Sequence, residues 1–401
     1  MRSSMTFARR VDQIQPSQTL GISALVESLR REGKSVIGLG AGEPDFDTPQ
    51  IVKEAAICAI EEGFTKYTPV SGTLELKEAI CEKYQKQHEY EVSPAEVLVA
   101  CGAKHALANV LLALCQPGDE VIIPAPYWTS YIELTRFVGA RPVVLETDET
   151  TEFKMTPAQL ASAITPQTKV LLLNTPCNPT GSVYHRSELS DLADVCKQHP
   201  FHVIFDEIYE KIVYDGSEHV SLAGFPELRE RLILINGVSK TFAMTGWRLG
   251  YVIAPQALIK ACSKIQSHTT SNPCSISQKA GIAALRAESR IVEQMVQEFD
   301  RRRVFLTNQM NEMPGIRCLL PKGAFYTFAN VSEYLDIEVE DRRIASPMGL
   351  CAYLLEEEGV AVVPGEAFGS SQHVRISYAT SMGNLEEAVL RLNRAFARLR
   401  G

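Results

Sequence analysis

The chain has 401 residues, 45% of them hydrophobic, with a formal net charge of -8 and a pI near 5.6. That is long enough to bury a large core and to form more than one domain. The acidic balance and dispersed basic residues give no footprint for nucleic acid. The one basic cluster, Arg301, Arg302 and Arg303, falls in a helical pattern and is expected on a solvated face. No run of about 18 apolar residues is present to span a membrane. Ten cysteines lie singly, without a Cys-x-x-Cys pair or a histidine-rich neighbourhood. They are expected to be reduced thiols that hold no metal, in a cytoplasmic protein. The first residues lack the apolar segment of a signal peptide, in keeping with that expectation.

Residues 1–47 form an N-terminal arm, with helical spacing at 22–30 and a short strand at 36–39. A turn-rich loop follows at 41–49, where Pro44 and Pro49 bar regular structure. Thr48 is placed to cap a helix that Pro49 opens. A loop at 66–72 precedes a helix at 74–87.

From 97 to 253, short apolar runs alternate with amphipathic helices such as 187–199. The runs at 97–100, 120–123, 142–145, 170–173, 203–205, 232–235 and 250–253 are the expected strands. This alternation predicts an α/β fold with a mostly parallel seven-stranded sheet. Ligands of such sheets gather at the carboxyl ends of the strands. Helices at 256–265 and 276–286 lead into a long one at 291–313. Strands at 315–319, 324–328, 360–363 and 374–378, with a last helix at 384–399, predict a smaller α+β domain. The expected division is 48–290 for the large domain, with 1–47 and 291–401 forming the arm and small domain.

The unusual residues sit at the strand ends. Lys240, among small and hydroxyl residues, is either a Schiff-base nucleophile beside a phosphate site that includes Arg248, or a surface lysine in a loop. Gly102, Ala103 and Lys104 open a helix whose backbone N–H groups can hold a phosphate, or else form an ordinary strand–helix turn. Trp128 can stack on a flat ring or anchor the core. Asn178 offers an amide in an irregular Pro- and Gly-rich turn. Asp206 ends an apolar run and needs a partner if buried, for which a protonated ring nitrogen qualifies. Tyr209, three residues on, can face the same site. Arg375 lies in an alternating strand, suited to grip a carboxylate or to face solvent. Together these groups fit pyridoxal phosphate (PLP) acting on an amino acid.

The motifs at 41–46, 66–69, 174–181, 206–209, 239–248 and 374–378 resemble those of the class I aminotransferases of PLP fold type I. The likeness runs from about Val11 to Leu399 and is strongest to the aspartate aminotransferase Ib subgroup, some of whose members use prephenate. The resemblance implies roles by position. Lys240 bonds the cofactor and shuttles the proton, and Asp206 pairs with the ring nitrogen. Tyr209 and Asn178 reach the phenolic oxygen, and Trp128 covers the ring. Gly102, Ala103, Lys104 and Arg248 hold the phosphate, and Tyr67 reaches it from the neighbouring subunit of a homodimer. Arg375 clamps the α-carboxylate with Asn178 and Gly42. Lys104 and Thr19 match the Ib residues for a distal carboxylate. This implies amino acids and 2-oxo acids of the aspartate and glutamate type as substrates. Gln15 stands where some prephenate-using relatives have a basic residue. Gly237 replaces a phosphate-binding serine common in relatives. An alanine, aromatic or broad-range aminotransferase remains the alternative, and an inactive regulatory relative is a third reading.

Overall fold

The computed structural model describes residues 7–339 and 342–400. Seven strands form one sheet. Their spatial order is Val97–Ala100, Gly250–Ile253, Leu232–Gly237, His202–Asp206, Thr168–Asn174, Glu120–Ala125 and Arg141–Glu146. Every pairing is parallel except those of Gly250–Ile253, which runs antiparallel to both neighbours. The sheet is covered on both faces, so most strands are continuous apolar runs. Alternate residues feed opposite layers: Val203 and Phe205 pack into one core, Ile204 into the other. Arg141–Glu146 lies at an edge, where exposure alternates and Pro142 is tolerated.

A second sheet is antiparallel, ordered Val363–Pro364, His373–Ser377, Tyr326–Asn330 and Arg317–Cys318. The helices Arg290–Glu312, Pro347–Glu358 and Met382–Arg398 bury apolar faces in its core. In the last of these, Leu385, Ala388, Val389, Leu392, Ala395 and Phe396 form the inward stripe at helical spacing. The same core takes in Ile208, Tyr209, Ile212 and Tyr214, which follow the His202–Asp206 strand. Packing of the second sheet therefore helps to position Tyr209.

The arm is held by this second layer. Ile37 and Gly38 pair in parallel with Val360 and Ala361. That pairing carries the chain through Gly40 and Gly42 across the front of the large sheet. Its preceding helix, Gln18–Arg31, starts earlier than the apolar spacing suggests, because Ser17 caps it by accepting from Leu20 N at 3.4 Å.

Other expectations are corrected. Thr48 does not cap the next helix; Pro49 stands at the N-cap and the helix is Gln50–Glu61. Thr48 instead donates to the carbonyl of Ala243 at 2.9 Å and accepts from Trp247 Nε1 at 2.9 Å. It thus pins the loop after Lys240. The strand expected at 360–363 is two: Val360–Ala361 pairs with the arm, and Val363–Pro364 joins the four-stranded sheet. The expected 315–319 strand shrinks to Arg317–Cys318. Arg302 and Arg303 are buried rather than solvated. Arg302 pairs with Asp45 at 2.7 Å and Arg303 with Asp215 at 2.7 Å. Both partners come from outside the helix, which is why helical periodicity alone misplaced them. The helices Ser130–Phe137 and Pro347–Glu358 and the hairpin strands Ile337–Val339 and Arg342–Ile344 were not anticipated. All ten cysteines are free. Among the described residues no cluster can hold a metal, and no helix is long and apolar enough to cross a membrane.

Candidate active site

The carboxyl ends of the central strands open onto a cavity of about 380 Å³. Asp206 is the last residue of its strand and is buried. Its Oδ2 accepts from the Tyr131 hydroxyl at 2.8 Å, and its Oδ1 accepts from Ile208 N at 3.1 Å. Burial pushes this carboxyl up to about 6, against those two donors, with Glu207 adding to the rise. A cationic partner in the cavity would reverse that penalty.

Lys240 lines the same cavity and donates to the carbonyl of Gly42 at 2.5 Å. Burial pulls its ammonium down to about 8, against Glu43, and the charges of Arg248, Arg375 and Lys104 pull the same way. Loss of its proton is thus made easier, and the neutral form is the state in which an amine attacks a carbonyl. For protein stripped of cofactor, the reaction of Lys240 with an aldehyde probe is expected to rise with pH through a midpoint near 8. A midpoint at the ordinary lysine value would refute this environment.

An anion cradle lies beside the lysine. Gly102 caps the helix Ala103–Leu114 at φ +91°. That φ favours glycine, and a Cβ there would also meet Arg248 Nη2 at 2.5 Å, so glycine leaves the guanidinium free to approach. Gly250 is as constrained, since a Cβ would lie 2.3 Å from Ala103 N. The helix N-terminus and Arg248 therefore converge, the arrangement that binds phosphate. Gly237 pairs with Gly250 across the two strands. A side chain at 237 would meet Gly250 Cα and Leu249 O at 3.0 Å. Strand packing therefore leaves little room for a side chain at 237.

Arg375 is 1% exposed on the strand His373–Ser377. Its Nη1 donates to Asn178 Oδ1 and its Nη2 to the carbonyl of Gly40, both at 2.8 Å. Its guanidinium lies between the rings of Tyr326 and Phe368, 4.3 and 4.8 Å from their centroids. Its Nε has no partner among the described residues. A buried, unsatisfied guanidinium edge on a cavity wall suits an incoming carboxylate. The Arg375 bond fixes the Asn178 side chain by its oxygen, which leaves the amide donors for the cavity.

Tyr209 is buried, and its hydroxyl lies 2.8 Å from that of Tyr326. Burial raises both phenols, Tyr209 well above the usual value, while Arg375 opposes the rise at each and ranks higher among the causes at Tyr326. Trp128 forms a further wall, with Lys104 Nζ 4.9 Å from its ring centroid. Burial and the nearby Arg248 lower the Lys104 ammonium. Thr19 lines the mouth from the first turn of the arm helix.

Most of the anticipated residues thus share one cavity; Gly102 lies off its wall, next to Ala103 and Arg248, and two others stand apart. Gln15 is exposed and not on the cavity wall; its backbone N donates to Glu133 at 2.7 Å. Tyr67 is 92% exposed and is not on the wall of this chain's cavity. Sequence reasoning missed Tyr131 and Tyr326. Tyr131 follows Trp128 by three residues on one helical turn, a spacing that was available. Tyr326 shares a sheet face with Arg375, but only the strand register shows it.

The chemistry of the donor set fits PLP. An enclosed amine, a carboxylate that lacks a cation, an anion cradle and a free guanidinium edge surround one cavity. The family model for aminotransferase class I and II matches residues 34–392. The chain is 47% identical over 393 residues to the aspartate/prephenate aminotransferase of Nitrosomonas europaea, covering 97% of this chain and 99% of the relative. It is 47% identical over 398 residues to an aspartate aminotransferase of Geobacillus stearothermophilus, covering 97% and 98%. The solved aspartate aminotransferase of Rhizobium meliloti superposes with a TM-score of 0.95 at 45% identity, covering 98% of this chain and all of that one. That of Thermus thermophilus with maleate gives 0.92 at 41%, with coverage of 98% and 100%. The agreement extends from the cavity to almost the whole chain, which belongs to the class I and II aminotransferases as a PLP-dependent enzyme of fold type I.

Proposed function

We propose that the chain is an aspartate aminotransferase. It moves the amino group of L-aspartate to 2-oxoglutarate, giving oxaloacetate and L-glutamate, and takes prephenate to arogenate as a second activity. The observation that carries this reading is a pair of cationic anchors on one cavity, Arg375 at the inner wall and Lys104 beside Trp128. A dicarboxylate spans two such anchors, whereas alanine uses one. The names of the relatives agree, as does the maleate held by the Thermus thermophilus enzyme. The prephenate activity rests on the Nitrosomonas europaea relative and on the two carboxylates of that substrate.

PLP, when bound, supplies an aldehyde for the amino group and an electron sink for the α-carbon. Lys240 would hold the cofactor through its amine and move the proton at the substrate α-carbon. Asp206 keeps the cofactor's ring nitrogen protonated. Asn178 and Tyr209 donate to the phenolic oxygen, and Trp128 covers the ring. Arg248 and the helix start at Gly102, Ala103 and Lys104 hold the phosphate. Arg375, with Gly42 and Asn178, holds the α-carboxylate. Lys104 and Thr19 hold the distal one.

A homodimer is part of the same reading. Tyr67 is exposed, and Ile51, Ile57, Ile60 and Leu74, near it in sequence, are also exposed apolar residues. Apolar exposure on this scale suits a subunit interface, across which Tyr67 would reach the partner's phosphate site. The ten free thiols support a cytoplasmic location.

Half-reactions of the purified protein with PLP against a panel of amino donors test the assignment. No turnover of aspartate or glutamate would end it. Lys104→Ala is expected to lower kcat/KM for dicarboxylates by about ten- to a hundred-fold, the range of a charge-assisted contact. Alanine turnover should change far less. Equal losses would favour a broad-range aminotransferase.

A further inference from the structure

We propose that Tyr326 is a positioning residue that aims the Tyr209 proton at the cofactor's phenolic oxygen and couples it to the carboxylate site at Arg375. The inference rests on the PLP reading above and deepens it.

Tyr326 begins the strand Tyr326–Asn330 and is fully buried. In the register, Tyr326 faces Ser377 and Phe328 faces Arg375 across antiparallel strands. Tyr326 and Arg375 are therefore diagonal neighbours on one face of the sheet. That places the guanidinium 4.3 Å from the Tyr326 ring centroid. The hydroxyl at the far end of the ring lies 2.8 Å from the Tyr209 hydroxyl. It also borders the arm, since a Cβ on Gly42 would lie 3.3 Å from it. Tyr326 thus touches the carboxylate clamp, the Tyr209 hydroxyl and the loop that accepts from Lys240.

Proton accounting sets the direction of the hydroxyl pair. Each phenol carries one proton. If Tyr209 donated to Tyr326, it would have none left for the cavity. A cation over a phenol ring makes its O–H the more acidic of a pair, and Arg375 lies over Tyr326. Tyr326 is therefore the donor and Tyr209 the acceptor, and the Tyr209 proton points into the cavity. Arg375 orients Asn178 in parallel through the bond to its Oδ1. Both donors to the phenolic oxygen are then tied to the residue that receives the substrate carboxylate, one by a hydrogen bond and one through the Tyr326 ring.

The test uses holoenzyme and two variants. Tyr326→Phe keeps the ring beneath Arg375 and removes the hydroxyl. A weaker Tyr209 bond destabilises the anionic phenolic oxygen. The pH midpoint of the cofactor's visible band should rise by about half a unit to one unit, a three- to tenfold change in proton affinity. kcat should fall about three- to tenfold, with KM for aspartate unchanged. Tyr326→Leu removes the ring as well, and should add a rise in KM of about tenfold for every carboxylate substrate. Near-UV circular dichroism reports whether each variant keeps its packing. A Tyr326→Phe protein with native packing, a normal visible band and an unmoved midpoint overturns the role of Tyr326 and leaves the PLP reading standing. A wild-type protein that forms no visible band with PLP overturns both. A Tyr326→Phe protein whose KM rises as much as that of Tyr326→Leu also overturns the assignment, because the hydroxyl would then act on substrate binding.

Discussion

Lys240→Ala is expected to lower transamination by about 10⁴-fold, the upper end of what one positioned proton-transfer group contributes, and to remove the visible band formed with PLP. The reason lies in three features of one side chain. Its Nζ projects into the cavity and is held by the carbonyl of Gly42. Burial brings its ammonium down to about 8, so about a tenth to a fifth is neutral at physiological pH, far more than for an ordinary lysine. Among the described residues, the other amine on the cavity wall is Lys104, which lies over Trp128 rather than beside Gly42. The variant should fold, because removing a cation held among Arg248, Arg375 and Lys104 relieves repulsion. Its unfolding temperature should match or exceed that of wild type. A folded Lys240→Ala protein that retains more than about one hundredth of the wild-type rate would remove Lys240 from the proton transfer, since such groups supply at least 10²-fold.

Asp206→Asn should change activity and stability in opposite directions. Loss of the charge opposite a ring nitrogen is expected to lower kcat by about 10³-fold, the scale of a preorganised electrostatic contact. In protein stripped of cofactor, the same carboxyl is a burden. Its folded value of about 6 lies above its unfolded value of 3.8. Its favourable contribution is therefore complete below the unfolded value and is lost as pH rises through about 6. The loss approaches about 3 kcal/mol at pH 7. The asparagine variant should escape that loss and be more stable than stripped wild type by up to this amount. Urea unfolding of both proteins at pH 5 and pH 7 checks it, because the difference between them isolates Asp206. An unchanged difference across that interval would mean that the carboxyl is not held in its buried state. Adding PLP to wild type should remove much of the deficit, since a cationic nitrogen opposite Asp206 favours the ionised form.

The helix Arg290–Glu312 shows where sequence reasoning stopped short. Its extent was legible from apolar spacing to within a residue at each end. The fate of its arginines was not. Periodicity counts neighbours along one helix, whereas Arg302 and Arg303 are buried by Asp45 and Asp215, far away in the chain. The same limit applies to Thr48. A threonine before a proline has the local signature of a cap, but Trp247 and Ala243 offered its hydroxyl better partners. The break at 360–363 is also tertiary, because two different sheets each take two residues.

The sequence by itself determined the chemistry of this protein. Lys240, Asp206, Asn178 and Tyr209 follow or end strand patterns that residue order makes visible, and strand ends of a parallel sheet converge by topology; Arg248 just precedes a strand and Arg375 lies within one. The glycines at 102 and 250 mark the close approach that builds the anion cradle. What only the tertiary structure decided is how these groups are tuned and joined. The shifts at Lys240 and Asp206 arise from burial by residues distant in the chain. The contacts of Tyr131 with Asp206 and of Tyr326 with Tyr209 span 75 and 117 residues. Burial and hydrogen bonding depend on which elements pack together, and that information is held by the folded chain rather than by any local stretch of it.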